Sequence, residues 1–133
     1  MNKLLPAKIT GYEGKGVCYL CGGKLTGRRT SYCCDEHRQI YYENFSWQDA
    51  RKIALERSYH RCQRCGIGDP IWYTRWSPMS EEFIKNHKVE VHHINPIEGK
   101  NRLWNMKNMQ SNLAVLCKSC HKEVHRNGGT FYA

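Results

Sequence analysis

Two Cys-x-x-Cys pairs constrain the fold of this chain more than any other feature. Cys62 and Cys65 form one pair, Cys117 and Cys120 form the other, and residues 66–116 lie between them. Each pair brings two thiolates to one side of a metal ion, and two pairs complete the tetrahedral coordination that Zn²⁺ adopts in structural sites. The spacing therefore predicts a structural zinc site that joins two distant parts of the chain. A redox-active CxxC is the alternative, and the second copy argues against it.

The rest of the composition favours metal binding by cysteine over disulfide formation. The chain has eight cysteines, but its first residues lack the apolar segment of a secretory signal. No window approaches the roughly 18 apolar residues of a membrane span. We therefore expect a cytoplasmic, intracellular protein without a membrane partner. Thiols stay reduced in that compartment, and cysteine pairs there more often bind metal.

A second cysteine cluster lies close to the N-terminus. It opens with a CxxCGG turn at Cys18 and Cys21, where glycines allow the tight backbone that surrounds a tetrahedral ion. It closes with Cys33, Cys34 and His37. We expect Cys33 and His37 to complete a second zinc site, because residues four apart share one face of a helix. Cys34 is the alternative fourth ligand and is otherwise a spare thiol.

The chain as a whole predicts a small, zinc-stabilised α+β protein of two parts. Residues 1–45 are expected to form an N-terminal arm and zinc-binding module, and residues 46–133 a second domain. The elements expected are a helix from Asp35 to Phe45, a helix leading into CQRCG at 62–66, a short helix after Pro78, a strand ending at His92 and His93, a strand at 113–117, and a helix from about Lys118 that stops at Gly128.

Four histidines are placed where they could meet. His92 and His93 end an alternating apolar run that reads as a strand, so one could face a metal and the other a substrate. His121 and His125 lie four residues apart on the last helix, a spacing at which two imidazoles chelate one ion. The CxxC clamp would fix that helix against the strand. The alternative is that these histidines are ordinary surface or core side chains.

This constellation resembles the HNH, or ββα-metal, endonuclease family over residues 47–127. The matching parts are CQRCG at 62–66, VHHI at 91–94, Asn112, and the histidine pair of the last helix. The N-terminal cluster lies outside the family motif. It resembles the small CxxC-containing zinc modules sometimes found ahead of nuclease domains, with a histidine where a cysteine is usual. The resemblance implies a ββα-metal nuclease core preceded by a small zinc-binding module.

The resemblance also implies a role for each matching residue. His93 corresponds to the general base, and Asn112 to the residue that orients it by tying down the loop. His92, His121 and His125 correspond to the ligands of one catalytic divalent cation, which could be Mg²⁺, Mn²⁺, Ni²⁺ or Zn²⁺. Many relatives carry aspartate at the first of these ligand positions and asparagine at the second, so the preferred metal stays open. The expected activity is metal-dependent hydrolysis of DNA phosphodiester bonds.

The charge of the chain fits a polyanionic partner. Lysine and arginine number 21 against 12 aspartates and glutamates, which gives a net charge of +9. Duplex DNA is the expected partner, although each charge taken singly could be simply solvated. The residues expected to contact phosphate are Arg61, Arg64, Lys100, Arg102 and Lys107. The oligomeric state is left open, with a homodimer as one option.

The role of one aromatic group and the choice between a nuclease and two other classes of protein remain open at this stage. A group of aromatic residues, Trp72, Tyr73 and Trp76 with Arg75 among them, could stack on bases or could pack in the core. A catalytically inactive, zinc-dependent nucleic-acid-binding protein is the alternative to the nuclease. A zinc-stabilised protein-interaction module is a third interpretation, disfavoured by the net charge and by His93.

Overall fold

The computed structural model of the chain describes residues 8–73, 80–97 and 102–126. Within these ranges it has five α-helices, two strands and two short 3₁₀ helices. In chain order the elements are α1 (Asp35–Phe45), α2 (Trp47–Arg57), α3 (Pro70–Tyr73), α4 (Glu81–His87), β1 (Val89–His93), the 3₁₀ helices Met106–Asn108 and Gln110–Asn112, β2 (Leu113–Cys117) and α5 (Lys118–Arg126). The small α+β class predicted from the sequence is confirmed. None of the helices in the described ranges is long and apolar enough to cross a bilayer.

Most of the predicted elements are found, but one α-helix and the two 3₁₀ helices were not predicted. The bounds of α1 and β2 and the start of α5 agree with the sequence predictions. The short helix α3 was not predicted. It forms because the Asp69 side chain accepts a hydrogen bond of 3.0 Å from the Ile71 N–H, and because Pro70 occupies the first helical position, where no donor is needed. The expected stop at Gly128 lies outside the described residues.

The chain forms two compact units that do not follow chain order. The first consists of Met1–Ala50 with Ile97–Gln110, and the second of Arg51–Pro96 with Ser111–Ala133. The loop between β1 and β2 thus belongs to the unit that contains α1. The predicted division into domains 1–45 and 46–133 is a statement about which segments fold independently. It stays a prediction.

The first unit is built around the aromatic side chains of α1. Tyr41 is fully buried, and its hydroxyl donates a hydrogen bond of 2.8 Å to Glu13. Rings from α1 itself and from other segments surround it with centroid distances of 5.0 to 6.4 Å: Tyr19, Tyr32, Tyr42, Phe45 and Trp104. Burial tends to raise the pKa of Glu13, but the hydrogen bonds from Tyr41 and Thr10 lower it to about 2. A buried ionised carboxylate therefore ties the N-terminal segment to α1.

Amide side chains hold the long loop within the first unit. Asn108 is fully buried, and its amide donates to the carbonyl oxygens of Phe45 at 3.1 Å and Arg102 at 2.8 Å. Gln110 likewise donates to the carbonyl oxygens of Glu43 and Ala50, both at 2.9 Å. A buried amide with its hydrogen bonds satisfied fixes the loop geometry, because losing one partner leaves an uncompensated polar group.

The second unit places the two strands against α5. β1 and β2 pair antiparallel, with Val89 opposite Cys117 and His93 opposite Leu113. Every residue of β2 is buried, as expected for the uninterrupted apolar sequence LAVLC. Val124 of α5 is buried in one hydrophobic cluster with Ala114 and Leu116 of β2. The hairpin and α5 thereby bring together the segments that carry the predicted cysteine and histidine ligands.

Candidate metal centres

Four cysteines converge in the second unit, as the CxxC spacing predicted. The sulfur atoms of Cys62, Cys65, Cys117 and Cys120 all lie within 4.8 Å of one another. The Cys65 and Cys117 sulfurs are 3.8 Å apart, close to the ~3.8 Å expected for two sulfurs that each lie ~2.3 Å from one tetrahedral zinc. This spacing and the all-sulfur donor set fit Zn²⁺.

The backbone of the CQRCG turn is shaped around these sulfurs. Gly66 has φ +80°, and its N–H donates to the Cys62 carbonyl at 2.9 Å. The Cys65 N–H points at the Cys62 sulfur at 3.4 Å, and the Cys120 N–H points at the Cys117 sulfur at the same distance. N–H groups aimed at sulfur stabilise thiolates, which is the form in which cysteine binds metal.

The thiols of this cluster differ in their readiness to ionise. Burial tends to raise the pKa of Cys62, but backbone N–H groups of Cys65, Cys117 and Arg64 bring it down to about 7. Burial raises the pKa of Cys117. Cys62, Cys117 and Cys120 are buried, so four thiolates gathered here need a cation to offset their charge.

The N-terminal cluster also assembles as predicted. Cys18, Cys21, Cys33 and His37 place their ligand atoms within 4.8 Å of one another. The Cys21 and Cys33 sulfurs are 3.9 Å apart, and His37 Nδ1 lies 3.1 Å from the Cys33 sulfur. Burial tends to raise the pKa of Cys18, but the backbone N–H groups of Cys21 and Cys33 and the His37 side chain lower it to about 6. The three-sulfur, one-nitrogen donor set also fits Zn²⁺.

The remaining cysteine, Cys34, stands beside this cluster and is not part of it. It is the N-cap residue of α1, with an extended backbone. Its sulfur lies 3.9 Å from that of Cys33. The convergent four-residue group therefore contains His37, and Cys34 is left as a neighbouring thiol.

Three histidines form a separate group with the character of an open metal site. The ligand nitrogens of His92, His121 and His125 lie within 4.8 Å of one another. His92 Nδ1 is 3.0 Å from His121 Nε2, which is 2.9 Å from His125 Nε2. His92 is buried whereas His125 is exposed. Three neutral nitrogen donors on one side and solvent on the other suit a divalent cation that also binds water or substrate.

The sequence analysis missed one residue of this site, Glu90. Its Oε2 lies 2.7 Å from His121 Nδ1, so the proton on Nδ1 is fixed and the Nε2 lone pair is directed towards the other two histidines. Glu90 lies two residues before His92 on β1, and alternate residues of a strand share a face. That alternation was the available signal.

We predict that Glu90→Gln weakens divalent-metal binding to the three histidines about tenfold, and that Glu90→Ala weakens it up to about 100-fold. Both changes remove the carboxylate that orients His121, and the alanine also removes the hydrogen bond. Titration calorimetry with Ni²⁺ on zinc-loaded protein measures the effect. The matched control is Glu123→Gln, since Glu123 lies on α5 and pairs with Arg126 at 4.0 Å. If all these variants bound the metal as tightly as the wild type, Glu90 would not contribute to metal binding at this site.

His93 and Asn112 lie at the ends of the two strands. His93 is the last residue of β1, and the cluster of three imidazoles does not include it. The Asn112 carbonyl accepts a hydrogen bond from the Ile94 N–H at 2.8 Å. The Asn112 side chain accepts from the Asn95 N–H at 2.8 Å and donates to the Asn95 carbonyl at 3.0 Å. Asn112 therefore holds the two residues that follow His93.

The basic residues expected to contact DNA lie in different places. Arg61 lies over the Tyr73 ring at 4.7 Å, and Arg64 hydrogen-bonds the Cys120 sulfur, which raises the pKa of its guanidinium. Arg102 and Lys107 belong to the first unit, where Arg102 lies 6.0 Å from the Trp47 ring centroid. Lys100, Arg75 and Trp76 lie outside the described residues. Contacts of all these residues with DNA stay predictions.

These features define a small α+β domain with two candidate metal sites. Four cysteines converge at one site, and three histidines from β1 and α5 converge at the other. Residues 62–127 match the family model of the HNH endonucleases. Residues 62–127 therefore form a domain of the HNH endonuclease family, of the type with four cysteines that could hold zinc.

One curated relative is similar over a shorter stretch. The chain is 50% identical over 38 residues to a protein named mitochondrial DNA mismatch repair protein mutS homolog from Sarcophyton glaucum. The match covers 28% of this chain and 4% of the length of that protein. No solved structure matches the chain significantly.

Proposed function

We propose that this protein is a metal-dependent DNA endonuclease that hydrolyses phosphodiester bonds with one catalytic divalent cation. The observation that carries the proposal is the convergence of His92, His121 and His125 within the HNH domain. We further propose that each of the two cysteine-containing clusters holds a structural Zn²⁺ ion. The substrate is duplex DNA, and the protein acts in the cytoplasm.

The three histidines would hold the catalytic cation through His92 Nδ1, His121 Nε2 and His125 Nε2. When bound, such a cation acts as a Lewis acid towards a phosphate oxygen and the leaving oxygen. Neutral imidazole ligands leave its charge uncancelled, which suits an anionic substrate. Glu90 keeps His121 in the tautomer that presents Nε2 to the site.

His93 is proposed as the general base that takes a proton from the attacking water. Free imidazole titrates near roughly 6.5, so a histidine can serve as a neutral base around pH 7. Asn112 acts as a positioning residue, because its backbone and side chain hold Ile94 and Asn95 immediately after His93. Placing the base on one histidine and the cation on three others keeps the two roles separate.

The experiment that tests this function is the nicking of supercoiled plasmid by zinc-loaded protein with Mg²⁺, Mn²⁺, Ni²⁺ or added Zn²⁺. We expect cleavage with at least one cation and loss of cleavage on addition of a chelator. His121→Ala is expected to lower the rate about 100-fold or more, since it removes one ligand of the cation. The matched control is His87→Ala, a histidine at the end of α4 outside the three-histidine group.

Two results would count against the nuclease proposal. One is the absence of cleavage by the wild type with every cation, despite metal binding to the histidines. The other is equal cleavage by the wild type and His121→Ala. Plasmid binding without cleavage would favour the alternative, a catalytically inactive zinc-dependent nucleic-acid-binding protein.

A further inference from the structure

A cleft in the second unit plays no part in the proposed chemistry. It has a volume of about 420 Å³, which lies within the roughly 300–1,000 Å³ of ordinary ligand pockets. The side chains that matter for its chemistry are two basic residues from α2 and four rings: Arg51, Lys52, Tyr59, His60, Trp72 and Tyr73. We refer to it as the aromatic cleft.

The rings of the aromatic cleft are unusually exposed for residues of their size. Tyr59 is 75% exposed, Trp72 is 60% exposed and Tyr73 is 44% exposed. Trp72 therefore does not pack in the core, which was one of the two readings of this aromatic group. Grouped exposed aromatic side chains on a soluble protein mark binding surfaces more often than isolated ones do.

Trp72 is held in place from one side. The His60 imidazole stacks on its indole with a centroid distance of 3.8 Å and an angle of 5° between the ring planes. His60 and the preceding Tyr59 have φ +54° and +56°, in the left-handed region that costs energy for residues with side chains. Such strain persists where the surrounding structure requires it, commonly at functional sites. Here it places an imidazole against one face of the indole.

Tyr73 is fixed as a second wall of the aromatic cleft. Its hydroxyl donates a hydrogen bond to the Tyr59 carbonyl. Its ring lies on the backbone of Gly68, where an added Cβ would meet Tyr73 Cδ2 at 2.5 Å. The Arg61 guanidinium lies 4.7 Å from the centroid of the same ring. The cleft is therefore preformed, and the protein would lose little conformational freedom when it binds a planar ligand.

The charge around the aromatic cleft suits a phosphate-bearing ligand. Arg51 and Lys52 line it, and Glu56 is the acidic residue among its lining side chains. Arg61 adds a further positive charge at Tyr73. Exposed rings beside arginine and lysine are the combination that binds unpaired nucleotides, because bases stack on the rings while phosphates contact the cations.

We propose that the aromatic cleft binds an unpaired nucleobase of a DNA strand, with the base stacked on Trp72 and the adjoining phosphate contacted by Arg51 and Lys52. The inference rests on the proposed function, since it assigns a feature of the DNA that the nuclease engages. An unpaired base is required because a base within a duplex is stacked on both faces and offers none to Trp72. Frayed, bulged or single-stranded DNA would bind preferentially.

The test measures, by fluorescence anisotropy, the binding of a short labelled single DNA strand to the full zinc-loaded chain. No catalytic cation is added. A gel run afterwards confirms that the strand is intact. Trp72→Leu, which keeps apolar volume but has no ring, is expected to weaken binding about 5- to 150-fold. Trp72→Phe, which keeps a ring, is expected to retain most of the affinity.

The matched control is Ile71→Ala, because Ile71 is the preceding residue of α3 and is also 60% exposed. It has no ring to stack, so its removal should leave binding unchanged. The same proteins are then titrated with a fully paired duplex and with a duplex that carries one unpaired thymine. Only the duplex with the unpaired base should lose affinity in Trp72→Leu.

The proposal is overturned if Trp72→Leu binds the single strand as tightly as the wild type does. It is also overturned if Trp72→Phe and Ile71→Ala lose as much affinity as Trp72→Leu. Equal losses for paired and bulged duplexes would also overturn it. Because no cleavage is measured, the outcome is independent of nuclease activity. If the wild type never cuts plasmid but Trp72→Leu still binds the single strand more weakly than the wild type does, the proposed function is refuted and base binding by the aromatic cleft is supported.

Discussion

His93→Ala is expected to lower the rate of plasmid cleavage by about 10²–10⁴-fold, the usual contribution of a general base. Zinc content and affinity for uncut DNA should stay at the wild-type level, because His93 lies outside the group of three histidines and outside both cysteine clusters. Single-turnover cleavage at saturating protein measures the chemical step without a contribution from binding.

Added imidazole provides the control for this role. A small base that enters the vacated space should restore part of the rate in His93→Ala and none in His121→Ala, in which a ligand of the cation is missing. The predicted role of His93 would be wrong if His93→Ala cut plasmid as fast as the wild type. It would also be wrong if His93→Ala lost metal as His121→Ala is expected to.

Cys117→Ser is expected to abolish cooperative folding of the second unit. Cys117 is fully buried at the junction of β2 and α5, and it belongs to the four-sulfur cluster. Binding of structural zinc contributes on the order of 10 kcal/mol in small zinc domains, which is as much as the whole stability of an ordinary domain. Losing one of four thiolates therefore removes most of what holds this unit together.

The measurements are zinc content by elemental analysis and thermal unfolding by circular dichroism. Cys117→Ser should lose one zinc ion per chain and its cooperative transition. Cys34→Ser is the matched control, since Cys34 is a neighbouring thiol outside the four-residue clusters, and it should keep wild-type zinc content and Tm. A Cys117→Ser protein that kept its zinc and its Tm would show that the cluster is not a structural zinc site.

The sequence was most informative where chemistry and spacing acted together. The CxxC pairs predicted the convergence of Cys62, Cys65, Cys117 and Cys120, because thiolates at that spacing have few uses other than binding a metal. The i, i+4 histidines of α5 could be placed on one face from helix geometry alone. The apolar sequence LAVLC likewise predicted β2 with the bounds that the structure shows.

The sequence was least informative where a role depends on a contact between distant segments. The contact of Glu90 with His121 joins β1 to α5, and strand alternation places Glu90 on the face of His92 without showing which side chain of α5 it meets. The contact of Arg64 with Cys120 similarly joins the CQRCG turn to α5. Both contacts follow from the strand pairing and helix packing, which the sequence does not give in atomic detail.

The long connection between the strands has a consequence for truncation. Its residues Asn108 and Gln110 are hydrogen-bonded to backbone carbonyls of α1 and of residue Ala50, and two positions later the chain reaches Asn112. A fragment starting at residue 46 would keep both strands but lose Glu43 and Phe45, which anchor this connection. The amino-terminal segment thus anchors residues 108–110 of the connection, and a shortened recombinant protein would be produced without those hydrogen bonds.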